Sequence, residues 1–257
     1  FNNIALVEGN STFTVRATDA AGNTSEAMIT VVRDVLIIDP VVDVQLLNDT
    51  GRLTNDGVTR DATVMIRISD LLQVSRLWVA VDTINNPVLV DVTAQIRPDG
   101  TLTLSATDLA AVAGHALMDG VHTVRVVTEN SLGQQARPVD FTWILDTVAP
   151  SLDVHLAPGS DSGTVGDNLT NAGRVQLSGT TEENAKVTLS DQSISALAGQ
   201  GGSVLLTGVQ LAQGVNTLQL QVEDLAGNVG NTPLVITREG AVTADNILIW
   251  NKVALEA

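Results

Sequence analysis

Gly9-Asn10-Ser11-Thr12-Phe13-Thr14-Val15-Arg16-Ala17-Thr18-Asp19-Ala20-Ala21-Gly22-Asn23 recurs without a gap as Gly214-Val215-Asn216-Thr217-Leu218-Gln219-Leu220-Gln221-Val222-Glu223-Asp224-Leu225-Ala226-Gly227-Asn228. A third copy, Gly120-Val121-His122-Thr123-Val124-Arg125-Val126 through Asn130 to Gly133-Gln134, fits the same frame. Phe13, Val15 and Ala17 alternate with Thr12, Thr14 and Arg16, and Leu218, Leu220 and Val222 alternate with Thr217, Gln219 and Gln221. A period of two marks half-buried strands. The Ala-Gly-Asn turn ends the strand because glycine supplies positive φ freely and Asp or Asn side chains bond their own backbone across a tight turn. Strands at 27–32, 139–145 and 234–237 are predicted to complete each hairpin.

Thr12, Thr123 and Thr217 mark the frame at spacings of 111 and 94 residues. That period is close to the ~100 residues of an immunoglobulin-like sandwich and far above the periods of solenoids. A second repeat lies upstream of each hairpin. Val42-Asp43-Val44-Gln45-Leu46 leads through Asp49-Thr50-Gly51 and Asp56-Gly57-Val58-Thr59 to the alternation Val64, Ile66, Ile68. Leu152-Asp153-Val154-His155-Leu156 leads likewise through Asp161-Ser162-Gly163 and Asp167-Asn168-Leu169-Thr170 to Val175 and Leu177. Further strands are expected at 77–81, 88–96, 101–104, 185–189 and 204–207, with one helical turn at 108–113 capped by Thr107 or Asp108. The expected class is all-β: tandem immunoglobulin-like β-sandwiches in an elongated array. Residues 1–36 are read as the last strands of one domain, 37–146 and 147–239 as two whole domains, and 240–257 as a linker and the start of a following segment.

The 257 residues carry 29 acidic against 13 basic side chains, a net charge of −16, with 44% hydrophobic content and no cysteine. The 11 arginines and the lysines Lys186 and Lys252 are scattered, so no basic patch offers itself to nucleic acid, and cations are the expected ligands. Without cysteine there is no disulfide, thiol nucleophile or cysteine metal site. No run approaches the roughly 20 apolar residues of a membrane span, and no signal peptide opens the chain, so a piece of a longer protein is expected.

The run from Leu156-Ala157-Pro158-Gly159-Ser160-Asp161 to Gly179-Thr180-Thr181-Glu182-Glu183-Asn184-Ala185-Lys186-Val187 resembles the opening of bacterial Ig-like domains, which occur in tandem in large secreted adhesins. Asp224-Leu225-Ala226-Gly227-Asn228 is similar to the family's end motif, and Asp146-Thr147-Val148-Ala149-Pro150 to its linker. The chain departs from the family at Glu183, where proline is common, and at Asn130 and Gln134 in the middle copy. The resemblance implies a secreted or cell-surface bacterial protein, with neighbouring Ig-like domains as partners and a surface protein or glycan as ligand. A shorter resemblance, Trp250-Asn251-Lys252-Val253-Ala254-Leu255-Glu256-Ala257, is to the start of vanadium-dependent haloperoxidase-like domains. It implies the alternative of accessory modules ahead of a catalytic domain after residue 257.

No catalytic constellation is legible. His115, His122 and His155 lack metal-site spacing and read as surface or strand-edge imidazoles; residues 160–163 lack a nucleophile elbow; residues 199–202 read as a hairpin loop. Glu182 and Glu183 point to opposite faces of an extended segment and are expected to be solvated. Trp78, Trp143 and Trp250 are expected in packing. The acidic loops carry the sharper expectation. In a sandwich the first inter-strand loop lies at the exit end and the last hairpin turn at the entry end. Asp49, Asp56, Asp146, Asp224 and Asn228 are therefore expected to converge, and a calcium ion, which takes 6 to 8 oxygens, would relieve their repulsion. Asp161 and Asp167 form the corresponding exit, with Glu239 or Asp245 nearby. Asn130 and Gln134, with Asp34 and Asp39, make the weaker junction.

Overall fold

The computed structural model describes residues 4–7, 9–33, 40, 42–83 and 85–240. The expectations for Asp34, Asp39, Asp245, Trp250 and the haloperoxidase-like stretch lie outside these residues.

In chain order the strands are β1 (Gly9–Thr18), β2 (Thr24–Arg33), β3 (Val42–Leu46), β4 (Val58–Thr59), β5 (Val64–Ile68), β6 (Arg76–Val81), β7 (Val90–Asp91) and β8 (Thr101–Leu104). The helix α1 (Ala106–Ala113), β9 (Gly120–Glu129) and β10 (Val139–Leu145) follow. Then come β11 (Asp153–Leu156), β12 (Leu169–Thr170), β13 (Arg174–Thr180), β14 (Lys186–Leu189), β15 (Ile194–Leu197), β16 (Ser203–Gln210), β17 (Gly214–Glu223) and β18 (Val229–Arg238). Sheets of order β3-β5-β8 and β4-β10-β9-β6-β7 recur, strand for strand, as β11-β13-β16 and β12-β18-β17-β14-β15. The fold is all-β and Ig-like, and the repeated topology matches the repeated sequence.

The chain divides into two compact units. One comprises Phe1–Leu47, Thr63–Leu117 and Thr123–Thr142; the other comprises Asn48–Ala62, Met118–His122 and Trp143–Ala257. In the first, Val64, Ile66, Leu77, Val79, Leu102, Leu104 and Leu109 are buried. β1 and β2 pair in the register of β17 and β18: Gly9↔Arg33, Phe13↔Ile29 and Ala17↔Ser25 correspond to Gly214↔Arg238, Leu218↔Leu234 and Val222↔Gly230. In the second unit the inward residues of the two sheets, among them Leu156, Leu177, Val187, Leu189, Leu206, Leu220 and Ile236, form one core.

Three local expectations change. The span 88–96 is not one strand: β7 stops at Asp91, because Asp91 Oδ1 accepts from the Thr93 amide (3.0 Å) and hydroxyl (2.5 Å), and a 3-10 turn follows at Thr93–Gln95. The helix begins earlier and is capped by Ser105, not Thr107 or Asp108. Asp108 instead completes a reciprocal box, accepting the Ser105 amide at 2.9 Å while its own amide donates to Ser105 Oγ at 3.3 Å. These bonds to the Ser105 hydroxyl and amide lower the Asp108 pKa. His122 is buried, its ring 5.5 Å from that of Trp143 and its Nε2 2.6 Å from the Met118 carbonyl.

Candidate functional site

Three carboxylates gather in the second unit: Asp146, just past β10, Glu182, in the turn between β13 and β14, and Asp224, just past β17. One carboxylate oxygen from each lies within 4.8 Å of the others. The β17–β18 turn fixes Asp224. Its Oδ1 accepts the Asn228 amide at 2.8 Å and its Oδ2 the Asn228 side-chain amide at 2.9 Å, while the Asp224 amide donates to the Asn228 carbonyl. The same Asn228 Nδ2 reaches the Asp146 carbonyl at 2.9 Å, tying linker to turn. Asp146 is set by its own amide, which donates to the Thr59 carbonyl at 2.9 Å, and its Oδ1 accepts from Val148 N at 3.1 Å.

Asp224 is 4% exposed and Asn228 7%, whereas Glu182 is exposed. The pKa of Glu182 is raised, first by its partial desolvation and then by the charges of Asp146 and Asp224. Glu182 is exposed, as expected, yet its carboxylate gathers with those of the two aspartates. Glu182 and Glu183 do not lie in an extended segment as expected: they stand in the turn that follows β13, closed by the Ala185 amide donating to the Glu182 carbonyl at 3.2 Å, and that turn brings Glu182 to the aspartates. Nothing local in the sequence distinguishes Glu182; only its place at the end of a strand next to the linker does so.

Asp49 and Asp56 stand in the loop Asn48–Ala62 that packs against the same turn, but their carboxylates serve that loop. Asp49 Oδ2 accepts from Gly57 N at 3.0 Å, and Asp56 Oδ1 accepts from Val58 N at 3.0 Å. The loop reaches the turn through Thr50, whose hydroxyl donates to the Ala226 carbonyl, and through Arg60 Nη1, which donates to the Gly227 carbonyl at 2.7 Å. Gly51, at φ +95°, comes so close that a Cβ there would stand 1.9 Å from the Leu225 oxygen. Asp161 and Asp167 lie at the other end of the unit and likewise accept backbone amides, from Gly166 (2.6 Å) and Leu169 (2.9 Å). In the middle copy, Asn130 and Gln134 replace the Asp–Asn pair and bond each other, Nδ2 to Oε1, at 2.8 Å.

The donor set of Asp146, Glu182 and Asp224 is all carboxylate oxygen, which suits a hard divalent cation such as calcium and not a soft metal. Among the described residues no helix is long and apolar enough to cross a membrane.

Residues 148–237 match the family model described as bacterial Ig-like domain. No curated protein sequence matches the chain. Among solved structures, the chain is similar to the tetra-tandem repeat in the extending region of a large adhesion protein: 21% identity over 91% of this chain and 57% of that one, TM-score 0.35. It is also similar to a Ca2+-stabilized adhesin that helps an Antarctic bacterium reach out and bind ice: 19% identity, 93% and 61% covered, TM-score 0.33. A third is the fibronectin(III)-like modules of Clostridium thermocellum CbhA: 10% identity, 78% and 95% covered, TM-score 0.38. The chain thus spans 57% and 61% of the first two. Residues 148–237 thus combine two sheets and one core with a match to the bacterial Ig-like domain model.

Proposed function

We propose that this chain is a non-catalytic stretch of Ig-like domains, divided at about residues 37, 147 and 239, that serves as a spacer or adhesive stalk of a secreted or cell-surface bacterial protein. A calcium ion held by Asp146, Glu182 and Asp224 stiffens the link between the linker and the β17–β18 turn. The carrying observation is the meeting of three carboxylates at one point with the pKa of one of them raised, an arrangement that repels itself until a cation enters. The charge of −16 fits a stalk that does not associate with its neighbours through unspecific attraction.

Thermal unfolding with calcium and with chelator tests this reading. Calcium at a hundredfold excess over its Kd stabilises by about 2.7 kcal/mol, which raises Tm by roughly 5–10 °C at this size. Asp224→Asn abolishes the rise and Asp191→Ala, on the 3-10 turn after β14, keeps it. A shift below about 2 °C in the unmodified protein excludes the site.

A further inference from the structure

The strand pair β13–β16 of the second unit slips by one residue. Val175 pairs with Val209 but Gln176 pairs with Thr207, so Gly208, at φ +84°, is the extra residue of a β-bulge. The equivalent pair of the first unit, β5 with β8, runs through without a slip, as Val64↔Leu104 and Met65↔Thr103 show. Val64 follows Thr59 by five positions, as Val175 follows Thr170, which aligns Arg174 with Thr63 and Gln176 with Met65. Arg174, Gln176 and the bulge at Gly208 therefore have no counterpart in the first unit's pair. Bulges re-aim side chains, and this one has re-aimed polar ones.

A cavity of about 510 Å³ opens at the bulge, walled by Gly159, Ser160, Arg174, Gln176, Thr207 and Gly208. Its size falls in the roughly 300–1,000 Å³ of ligand clefts. Arg174, Gln176 and Thr207 face outward here, while Val175, Leu177, Leu206 and Val209 turn into the core. Glycine at 208 lets the guanidinium lie against the backbone: a Cβ there would stand 2.8 Å from Arg174 Nη2 and 3.3 Å from its Nε. Ser160 Oγ accepts the Gln176 amide at 2.9 Å, which fixes that wall to the sheet. Among the described residues, the Arg174 guanidinium, the Gln176 side-chain amide and the Thr207 hydroxyl have no hydrogen bond or ion pair, and the Ser160 hydroxyl donates to no acceptor. Asp161, next to Ser160, is 8% exposed and its Oδ2 is taken by the Gly166 amide. A docked β-strand is not the occupant, because the Gln192 side chain already closes the edge of β16 beside the bulge, bonding the Gln210 carbonyl at 3.0 Å and amide at 2.8 Å.

The groups in the walls select the ligand. A single guanidinium without a carboxylate partner takes a carboxylate through two parallel N–H···O bonds. Among the described residues no second cation lines the cavity, as a doubly charged phosphate would require. The two hydroxyls and the primary amide around the guanidinium each donate and accept, which matches the hydroxyls of a sugar ring. We propose that this cavity binds a hexuronate unit of an acidic polysaccharide, its carboxylate on Arg174 and its ring hydroxyls on Ser160, Gln176 and Thr207. The assignment deepens the adhesive reading of the stalk, on which its biological sense rests, and it is independent of the carboxylate cluster at Asp146.

Sodium glucuronate is titrated into the full 15N-labelled chain in the presence of chelator, so that calcium does not enter the measurement, and the amide resonances are followed. Saturable shifts are expected at Gln176, Thr207 and Gly208, with a Kd on the order of millimolar for a single sugar. Glucose, which has the ring without the carboxylate, and acetate, which has the carboxylate without the ring, are each expected to bind at least about tenfold more weakly. Arg174→Gln, at an exposed position, weakens glucuronate at least about tenfold, and Arg174→Lys recovers only part of that loss because an ammonium cannot make the paired contact. Lys186→Gln, on β14 and outside the cavity, leaves binding unchanged. The proposal is overturned by the absence of a saturable shift, by glucuronate binding no tighter than glucose or acetate, by indifference to Arg174→Gln, or by inorganic phosphate binding more tightly than glucuronate. Each of these results leaves the calcium reading standing, just as a missing calcium-dependent rise in Tm leaves this one standing.

Discussion

Replacing Gly51 by alanine and, separately, Gly163 by alanine measures how much the loop Asn48–Ala62 gains from gripping the β17–β18 turn. The two glycines hold equivalent places and nearly equal backbone angles, φ +95° and +89°, so each alanine carries the left-handed penalty of about 1–2 kcal/mol. Around Gly163 a Cβ meets nothing within 4 Å. At Gly51 it meets the Leu225 oxygen at 1.9 Å, the Leu225 carbonyl carbon at 2.9 Å and the Gly227 nitrogen at 3.0 Å. All three are backbone atoms, and no rotamer change relieves the overlap. The loop must lift from the turn, and two hydrogen bonds go with it: Thr50 to the Ala226 carbonyl, about 1 kcal/mol, and the charged Arg60 to the Gly227 carbonyl, about 1.5–3 kcal/mol. Gly51→Ala is therefore expected to cost about 3–6 kcal/mol and Gly163→Ala about 1–2 kcal/mol. Urea unfolding followed by far-ultraviolet circular dichroism, at a concentration where the chain is monomeric, reads both. Equal losses, within about 0.5 kcal/mol, would mean that the loop gains nothing from the turn and would overturn this account of the grip.

Two further outcomes are expected. In chelator, stability falls as pH rises from Glu182's unfolded value of 4.5 through its raised folded value, because in that window the folded state binds more protons than the unfolded chain; urea midpoints across the range show a decline that Glu182→Gln removes and calcium suppresses. Leu220→Ala, at a core position of β17 that is 1% exposed, costs about 2–5 kcal/mol in the same unfolding assay, whereas truncating the exposed Leu205 costs under about 0.5 kcal/mol.

Much of the fold was legible in the sequence because its evidence is local. Alternation at Leu218, Leu220 and Val222, and the Asp-x-Ala-Gly-Asn turn after it, are properties of a dozen consecutive residues, and the recurrence of the frame marks the equivalent strand pairs β1–β2, β9–β10 and β17–β18. The strand over 88–96 failed for an equally local reason reinforced by tertiary context: Asp91 and Thr93 bond each other and Thr93 accepts the Leu77 amide at 2.8 Å, which bends a stretch that alternation alone would extend. The short strands β4 and β12 escaped notice because two residues carry no period; they exist through parallel pairing with β10 and β18.

The candidate site divides the same way. Asp146 and Asp224 were marked by their motifs, since a linker before Ala-Pro and a hairpin turn are each recognisable from neighbouring residues. Their partner Glu182 was not, because one of two adjacent glutamates joins the carboxylate cluster only when the β13–β14 turn is brought beside the linker and the β17–β18 turn. Strand faces, turn chemistry and the order of repeats follow from the amino-acid sequence alone, all set by interactions within a few residues. Which carboxylates gather at one point is settled only once the chain has folded, because burial and charge proximity depend on segments far apart in the chain.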